Sequence, residues 1–130
     1  MIVVDSSAVV EWLLRSSKGM AIDRRLFDAG ESLHAPHLLD LEVCSALRRS
    51  VFEEALRTVR AEEAILDFKA LSVTRYSHRL FLSRVWQLRH AITSYDASYV
   101  ALAEALDAPL VTCDRKLASA PGLEIHIELY

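Results

Sequence analysis

Short apolar runs alternate with longer amphipathic segments along the whole chain, and this alternation limits the fold more than any other feature. The short runs are rich in β-branched residues and predict strands over residues 2–4, 33–35, 71–74, 110–112 and 124–127. The segments between them repeat apolar residues at helical spacing. Because strands that alternate with helices pair in parallel through right-handed crossovers, we expect a three-layer α/β/α fold with a mostly parallel, roughly five-stranded central sheet.

Capping and breaking residues predict where the helices begin and end. Ser6 or Ser7 is expected to cap the first helix, and Pro36 is expected to lie in the first turn of the third. Further helices are predicted over residues 20–27, 36–50, 52–69, 77–90, 93–106 and 115–118. The 93–106 segment is apolar on nearly every side, which predicts a helix buried against the sheet.

The size and composition of the chain limit its class. Its 130 residues suit a single domain over 1–130. The net charge of -3 means that a polyanionic substrate must be held by a local basic patch or by bound cations. Two cysteines without CxxC spacing indicate a reducing cytoplasm, and the apolar N-terminal segment is too short and too polar to span a membrane.

Acidic residues recur where the strands are expected to end. Asp5 follows the first strand, and Asp114 lies just after the fourth. In open parallel sheets, ligands bind outside the carboxyl ends of the strands, near a topological switch point. Glu42 lies early in the helix after the second strand, and Asp96 lies in the first turn of the buried helix. We therefore expect these carboxylates to face one pocket.

A group of carboxylates without a counter-charge is costly, because the like charges repel one another and raise some of the pKa values. Hard divalent cations such as Mg²⁺ prefer oxygen ligands and take a few carboxylates from a protein. Such an ion can activate a water for attack on a phosphodiester and stabilise the leaving oxygen. The arrangement thus predicts metal-dependent cleavage of phosphodiester bonds.

Each acid also has a purely structural interpretation. Asp5 and Asp114 could be helix N-caps, and Asp96 could form a capping box with Thr93. Helical phase does not choose between Glu42 and Asp40, because both flank the apolar stripe of the third helix. The arrangement of the acids, and not any single residue, favours the functional interpretation.

Four stretches resemble the motifs of the PIN domain family, and in particular its VapC-type ribonuclease toxins, over essentially the full length. They are Ile-Val-Val-Asp-Ser-Ser at 2–7, Leu-Leu-Asp-Leu-Glu-Val at 38–43, Tyr-Asp-Ala-Ser-Tyr-Val-Ala-Leu-Ala at 95–103 and Leu-Val-Thr-Cys-Asp-Arg-Lys-Leu at 110–117. The resemblance assigns four catalytic, metal-binding acids: Asp5, Glu42, Asp96 and Asp114. It gives Ser7 and Thr112 supporting positions. Ser45 departs from the pattern, because many relatives carry Asn there.

The resemblance also implies an activity and partners. It implies that the chain is a metal-dependent endoribonuclease that uses Mg²⁺ or Mn²⁺ and metal-activated water to cut RNA. It further implies the toxin component of a toxin-antitoxin pair, a homodimer, and inhibition by a cognate VapB-type antitoxin. Two other classes remain as alternatives: a non-catalytic PIN-like binding protein, and a phosphoacceptor signalling module, although the lysine of such modules is missing around residues 121–123.

Basic and aromatic residues could contribute to an RNA path. The arginines are equally compatible with a solvated surface, and the aromatic residues are expected in the core or at a dimer contact rather than as base-stacking platforms. The arginines are Arg48, Arg49, Arg57, Arg60, Arg75, Arg79, Arg84 and Arg89. The aromatic residues are Trp12, Phe52, Phe68, Tyr76, Phe81 and Trp86.

Overall fold

Five parallel strands form the central sheet of the computed structural model, which describes all 130 residues. The strands are β1 (Ile2–Val4), β2 (Leu33–Pro36), β3 (Val73–Tyr76), β4 (Leu110–Thr112) and β5 (Ile127–Leu129). They lie in the order β3-β2-β1-β4-β5, and every neighbouring pair is parallel. The predicted sheet is confirmed. The chain passes from β1 to β2 and β3 on one side and returns to β4 and β5 on the other, so the switch point lies between β1 and β4.

Helices cover both faces of the sheet. They are α1 (Ser6–Leu13), α2 (Ser17–Leu26), α3 (Leu38–Phe52), α4 (Thr58–Ala70), α5 (Leu82–Gln87), α6 (Ser94–Leu106) and α7 (Arg115–Ala118). A 3₁₀ turn over His78–Phe81 leads into α5. Helices α1 to α4 pack together as one group, and α5 packs on α6 as another, which gives the three layers. No helix combines the length and the apolar character that crossing a bilayer would take.

The core lies around β1, β4 and α6. Every residue of β1 and β4 is buried, and so is each residue from Ala97 to Ala103 in α6. This confirms the prediction for the apolar helix. Because α6 contacts β1, β2 and β4, its first turn is held rigidly beside the edge where those strands end.

Pro36 does not begin a helix. It is the last residue of β2 and pairs with Tyr76 of β3, and α3 begins only at Leu38. The pairing of β2 with β1 ends at His34, so the missing N–H of Pro36 lies beyond the last ladder bond on that side and costs nothing.

Several other predicted boundaries were wrong. Strands β3 and β5 lie later in the chain than predicted, and α2 begins earlier, at Ser17, with Ser16 as its N-cap. The predicted 52–69 helix is divided, because α3 extends to Phe52 and Glu54 takes a positive φ of 56° before α4 starts. The predicted 77–90 helix is the 3₁₀ turn followed by the short α5.

Candidate active site

The predicted acids lie at the carboxyl edge of the sheet, around the switch point. Asp5 directly follows β1 and Asp114 follows β4, and the parallel pairing of these strands puts both at the same edge. Glu42 lies on α3, which follows β2, and Asp96 lies in the first turn of α6. The charges of Asp5 and Asp96 both act on the carboxyl group of Glu42. These three acids therefore form one electrostatic cluster.

Asp5 is the most enclosed member, with 6% of its surface exposed. Its Oδ1 accepts hydrogen bonds from the Ser7 hydroxyl at 2.6 Å and from the Ala8 backbone N–H at 3.1 Å, and its Oδ2 accepts one from the Thr112 hydroxyl. Burial raises the pKa of Asp5, and these hydrogen bonds only partly oppose that effect. The bond to Ala8 makes Asp5, and not the predicted Ser6 or Ser7, the N-cap of α1.

Ser7 and Thr112 orient Asp5 through a double role. The Ser7 hydroxyl accepts the Cys113 backbone N–H at 2.8 Å, and the Thr112 hydroxyl accepts the Asp114 backbone N–H at 2.9 Å. Since each oxygen already accepts an N–H, its own hydrogen is free to point at Asp5. The two predicted supporting residues therefore connect the ends of β1 and β4 and fix both oxygens of the buried carboxylate.

Tyr99 holds Glu42 from the neighbouring helix. The Tyr99 hydroxyl donates to Glu42 Oε2 at 2.5 Å, and Tyr99 itself is 2% exposed. Burial raises the pKa of Glu42, the charges of Asp5 and Asp96 add to the increase, and the Tyr99 bond opposes it. Burial, and then this bond to Glu42, also raise the pKa of Tyr99 far above its usual range. Tyr99 was not predicted as a site residue, although its position three residues after Asp96 places both on one helix face.

The structure distinguishes Glu42 from Asp40. Both Asp40 oxygens accept hydrogen bonds from the Arg75 guanidinium at 2.8 to 3.0 Å, so a cation on β3 neutralises this acid. Glu42 forms no salt bridge and lies among other acids. Of the two acids that helical phase could not separate, Glu42 is the one at the acidic cluster.

Asp114 is the N-cap of α7 and Asp96 accepts a hydrogen bond from Thr93, the N-cap of α6, yet each acid keeps an oxygen free. Asp96 Oδ2 accepts the Thr93 hydroxyl at 2.8 Å in the capping arrangement, while Asp114 Oδ1 accepts the backbone N–H groups of Lys116 and Leu117 at 2.7 and 3.2 Å. Asp96 Oδ1 and Asp114 Oδ2 have no hydrogen-bond partner in the protein. Both residues line one open depression of about 620 Å³. The structural and functional interpretations are therefore compatible.

The donor set fits a hard divalent cation. None of the four acids forms a salt bridge, although Arg89 and Lys116 also line the depression of Asp96 and Asp114. No three acidic, histidine or cysteine side chains are grouped tightly enough to enclose an ion by themselves. Mg²⁺ commonly takes one or two carboxylates and keeps several waters. The acids do not all face one pocket as expected, because Asp96 and Asp114 line one depression and Glu42 lines another. The free oxygens of Asp96 and Asp114 beside one depression still suit that kind of coordination.

Most of the aromatic side chains contact the core as predicted, but two are on the surface. Phe68 is buried, whereas Phe52 and Trp86 are 72% and 68% exposed. Each exposed ring carries an arginine from its own helical region: Arg48 lies 4.5 Å from the Phe52 centroid, and Arg89 lies 4.8 Å from the Trp86 centroid. One face of each ring is therefore already covered.

Comparison with known proteins identifies close relatives. The family model for the PIN domain matches residues 2–123. Ribonuclease VapC12 of Mycobacterium tuberculosis (strain ATCC 25618 / H37Rv) is 42% identical, with 99% of this chain and 98% of that protein covered. Ribonuclease VapC1 of the same strain is 45% identical, with 98% and 96% covered.

Solved structures show the same fold. The crystal structure of Mycobacterium tuberculosis VapC20, a sarcin-ricin loop cleaving toxin, matches with a TM-score of 0.65 and 16% identity, and covers 95% of this chain and 96% of that one. The crystal structure of PAE2754 from Pyrobaculum aerophilum matches with a TM-score of 0.61 and 23% identity, and covers 94% and 86%. At these sequence identities the structural similarity shows the fold alone, and it confirms the predicted three-layer architecture.

Proposed function

The chain belongs to the PIN domain family, and VapC ribonucleases are among its relatives. From this membership we propose that it is a metal-dependent endoribonuclease that acts as the toxin of a toxin-antitoxin pair. One observation carries the proposal. Asp5, Glu42, Asp96 and Asp114 lie at one sheet edge, around the switch point, and none of them forms a salt bridge. A protein keeps such a charge arrangement at a cost, which a bound cation offsets.

The chain's own groups prepare the site for phosphodiester cleavage. A bound Mg²⁺ or Mn²⁺ would supply the positive charge and the activation of water that such cleavage needs. Asp5 would hold it from the sheet edge, fixed by Ser7 and Thr112. Glu42 would offer the oxygen that Tyr99 leaves free, and Asp96 and Asp114 would offer theirs across the open depression that admits substrate.

We propose RNA as the substrate and a VapB-type antitoxin as the partner. The curated relatives are named ribonucleases, which supports RNA. A cluster of acids that form no salt bridge also suits insertion of a basic antitoxin side chain, since a guanidinium can replace a metal's charge. A homodimer and a cytoplasmic location complete the proposal.

Neither alternative class is favoured. A non-catalytic PIN-like protein predicts that an acid is replaced or turned away, whereas all four acids are present at one edge. A receiver-type phosphoacceptor module has the strand order 2-1-3-4-5. The order here is β3-β2-β1-β4-β5.

The test is cleavage of mixed cellular RNA by the purified protein, with Mn²⁺ or with a chelator. We expect new bands only with metal, and we expect Asp5→Asn, Asp96→Asn and Glu42→Gln to lose them while their circular dichroism spectra stay native, because charge is lost and shape is nearly kept. Asp40→Asn is the matched control on the same helix as Glu42, and it should still cleave. Identical banding with metal and chelator, or full activity in Asp96→Asn, would overturn the proposal.

A further inference from the structure

A second open depression adjoins the acidic cluster on the Glu42 side. Its volume is about 530 Å³, large enough for a nucleotide. Glu42 and Ser7 belong both to its wall and to the candidate active site, so a chain of nucleotides that reaches the acids can continue into it. The wall combines apolar side chains with serines and two glutamates, and Arg49 is its single cation.

Arg49 is placed to meet a phosphate beside the one that is cut. It lies seven residues after Glu42 on α3, on the same helix face and about 10 Å farther along the axis at the usual rise per residue. Ser45 and Ala46 lie between them and leave the floor of the depression open. Arg49 forms no salt bridge or side-chain hydrogen bond, whereas Arg75 is paired with an acid.

The other acid in this wall, Glu11, does not engage Arg49. Its carboxylate accepts a hydrogen bond from the Ser16 hydroxyl at the start of α2. The Arg49 guanidinium therefore keeps its donors for a ligand, and guanidinium groups suit phosphate oxygens particularly well.

Tyr95 supplies a flat apolar surface at the rim of the same depression. It precedes Asp96 in the first turn of α6, and 62% of its surface is exposed. Its hydroxyl makes no hydrogen bond within the protein, and no arginine covers its ring, in contrast to Phe52 and Trp86. An exposed aromatic ring beside a phosphate path is a typical platform for an unpaired base.

We propose that this depression is a subsite for one nucleotide of single-stranded RNA adjacent to the scissile phosphodiester, with Arg49 on its phosphate and Tyr95 against its base. The inference rests on the proposed nuclease function and names how its substrate is held. Because stacking on Tyr95 requires a base that is free of its own stack, the subsite selects loops or single strands over a continuous duplex.

The test measures RNA binding apart from cleavage. In an Asp5→Asn background, Kd for a fluorescent single-stranded RNA of mixed sequence is followed by anisotropy over a range of KCl concentrations with Mg²⁺ present. Arg49→Gln should reduce the slope of log Kd against log salt by about 0.7, the value for one phosphate contact on a single strand. Tyr95→Ala should weaken binding by roughly 5- to 150-fold, and Tyr95→Phe should restore it.

Arg24→Gln is the matched control, because Arg24 is exposed and lines a groove between α2 and the end of α4, away from the acids. It removes the same charge and should leave the slope unchanged. A slope in Arg49→Gln equal to that of the parent protein, an equal loss in Arg24→Gln, or unaltered affinity in Tyr95→Ala would each overturn the subsite. If the unmodified chain cuts no RNA while these binding effects hold, the nuclease proposal fails, and the depression remains only as a binding site for one nucleotide of single-stranded RNA.

Discussion

Replacing Tyr99 by Phe tests how the fold holds an acid in an acidic cluster. The change removes one hydroxyl and keeps the ring, which is buried in the core. The lost bond is to a charged acceptor, Glu42 Oε2, and such bonds contribute about 1.5 to 3 kcal/mol. For a chain of this size, that loss lowers the melting temperature by about 5 to 10 °C.

The assay is thermal unfolding by circular dichroism in the presence of a chelator at several pH values. Burial and neighbouring charges already raise the pKa of Glu42, and loss of the Tyr99 donor raises it further. The loss of stability in Tyr99→Phe relative to wild type should be largest above the folded-state pKa of Glu42, where the ionised carboxylate needs its donor. It should shrink as pH falls through that pKa, because a protonated carboxyl does not need one.

The same variant should bind metal more weakly. Loss of a partner that orients a ligand typically costs 10- to 100-fold in metal affinity, which titration calorimetry with Mn²⁺ measures. Because Glu42 must be deprotonated to bind the metal, the difference in Mn²⁺ affinity between Tyr99→Phe and wild type should decrease as pH rises.

Tyr76→Phe is the control for these measurements. The Tyr76 hydroxyl forms a hydrogen bond with the His34 ring, so this substitution removes a phenol hydrogen bond that involves no acid. This variant should lose only about 0.5 to 1.5 kcal/mol and keep wild-type Mn²⁺ affinity. A Tyr99→Phe protein with wild-type melting temperature and wild-type Mn²⁺ affinity would refute the reasoning.

Two further substitutions test the frame around the site. Thr112→Val keeps the side-chain shape but leaves Asp5 Oδ2 without its donor and the Asp114 backbone N–H without its acceptor. Denaturant titration should therefore show that the free energy of unfolding falls by about 1 to 3 kcal/mol, and Mn²⁺ affinity should fall as well. An unchanged unfolding midpoint would contradict this expectation. Gly19→Ala would place its Cβ 2.2 Å from the Glu11 carbonyl oxygen. Helices α1 and α2 must then separate, which should lower the free energy of unfolding by about 1 to 3 kcal/mol. A melting temperature equal to that of wild type would show that the two helices are not in such close contact.

Local signals predicted the parts of the fold nearest the site. The bounds of β1, β4 and α7 match the prediction, because a buried apolar run meets a capping aspartate in each case. Strands β3 and β5 were misplaced by a few residues. Their side chains are only partly buried, so pairing with β2 and β4, rather than an apolar pattern, sets their limits.

The site was predicted at the level of sheet edges but not of contacts. Strand ends and helix starts are local properties, and they placed the four acids at one sheet edge, although Glu42 lines a different depression from Asp96 and Asp114. The choice of Glu42 over Asp40 depends on Arg75, which lies 35 residues from Asp40 in sequence. The role of Tyr99 depends on a partner 57 residues away. Helical phase carries no information about either contact, so only the packed structure distinguishes these residues.

Capping and metal binding draw on the same property of an acid at a sheet edge. A parallel strand that passes into a helix leaves backbone N–H groups at the helix start, and a carboxylate satisfies them with one oxygen. Asp114 does so with Oδ1 alone, and its Oδ2 is left without a partner. The capping bonds fix the side chain at the edge where ligands of such sheets bind, and Asp114 lines the depression there. The cap is therefore a means of positioning a carboxylate that can bind a metal. Asp114→Asn would keep the start of the helix while removing the charge.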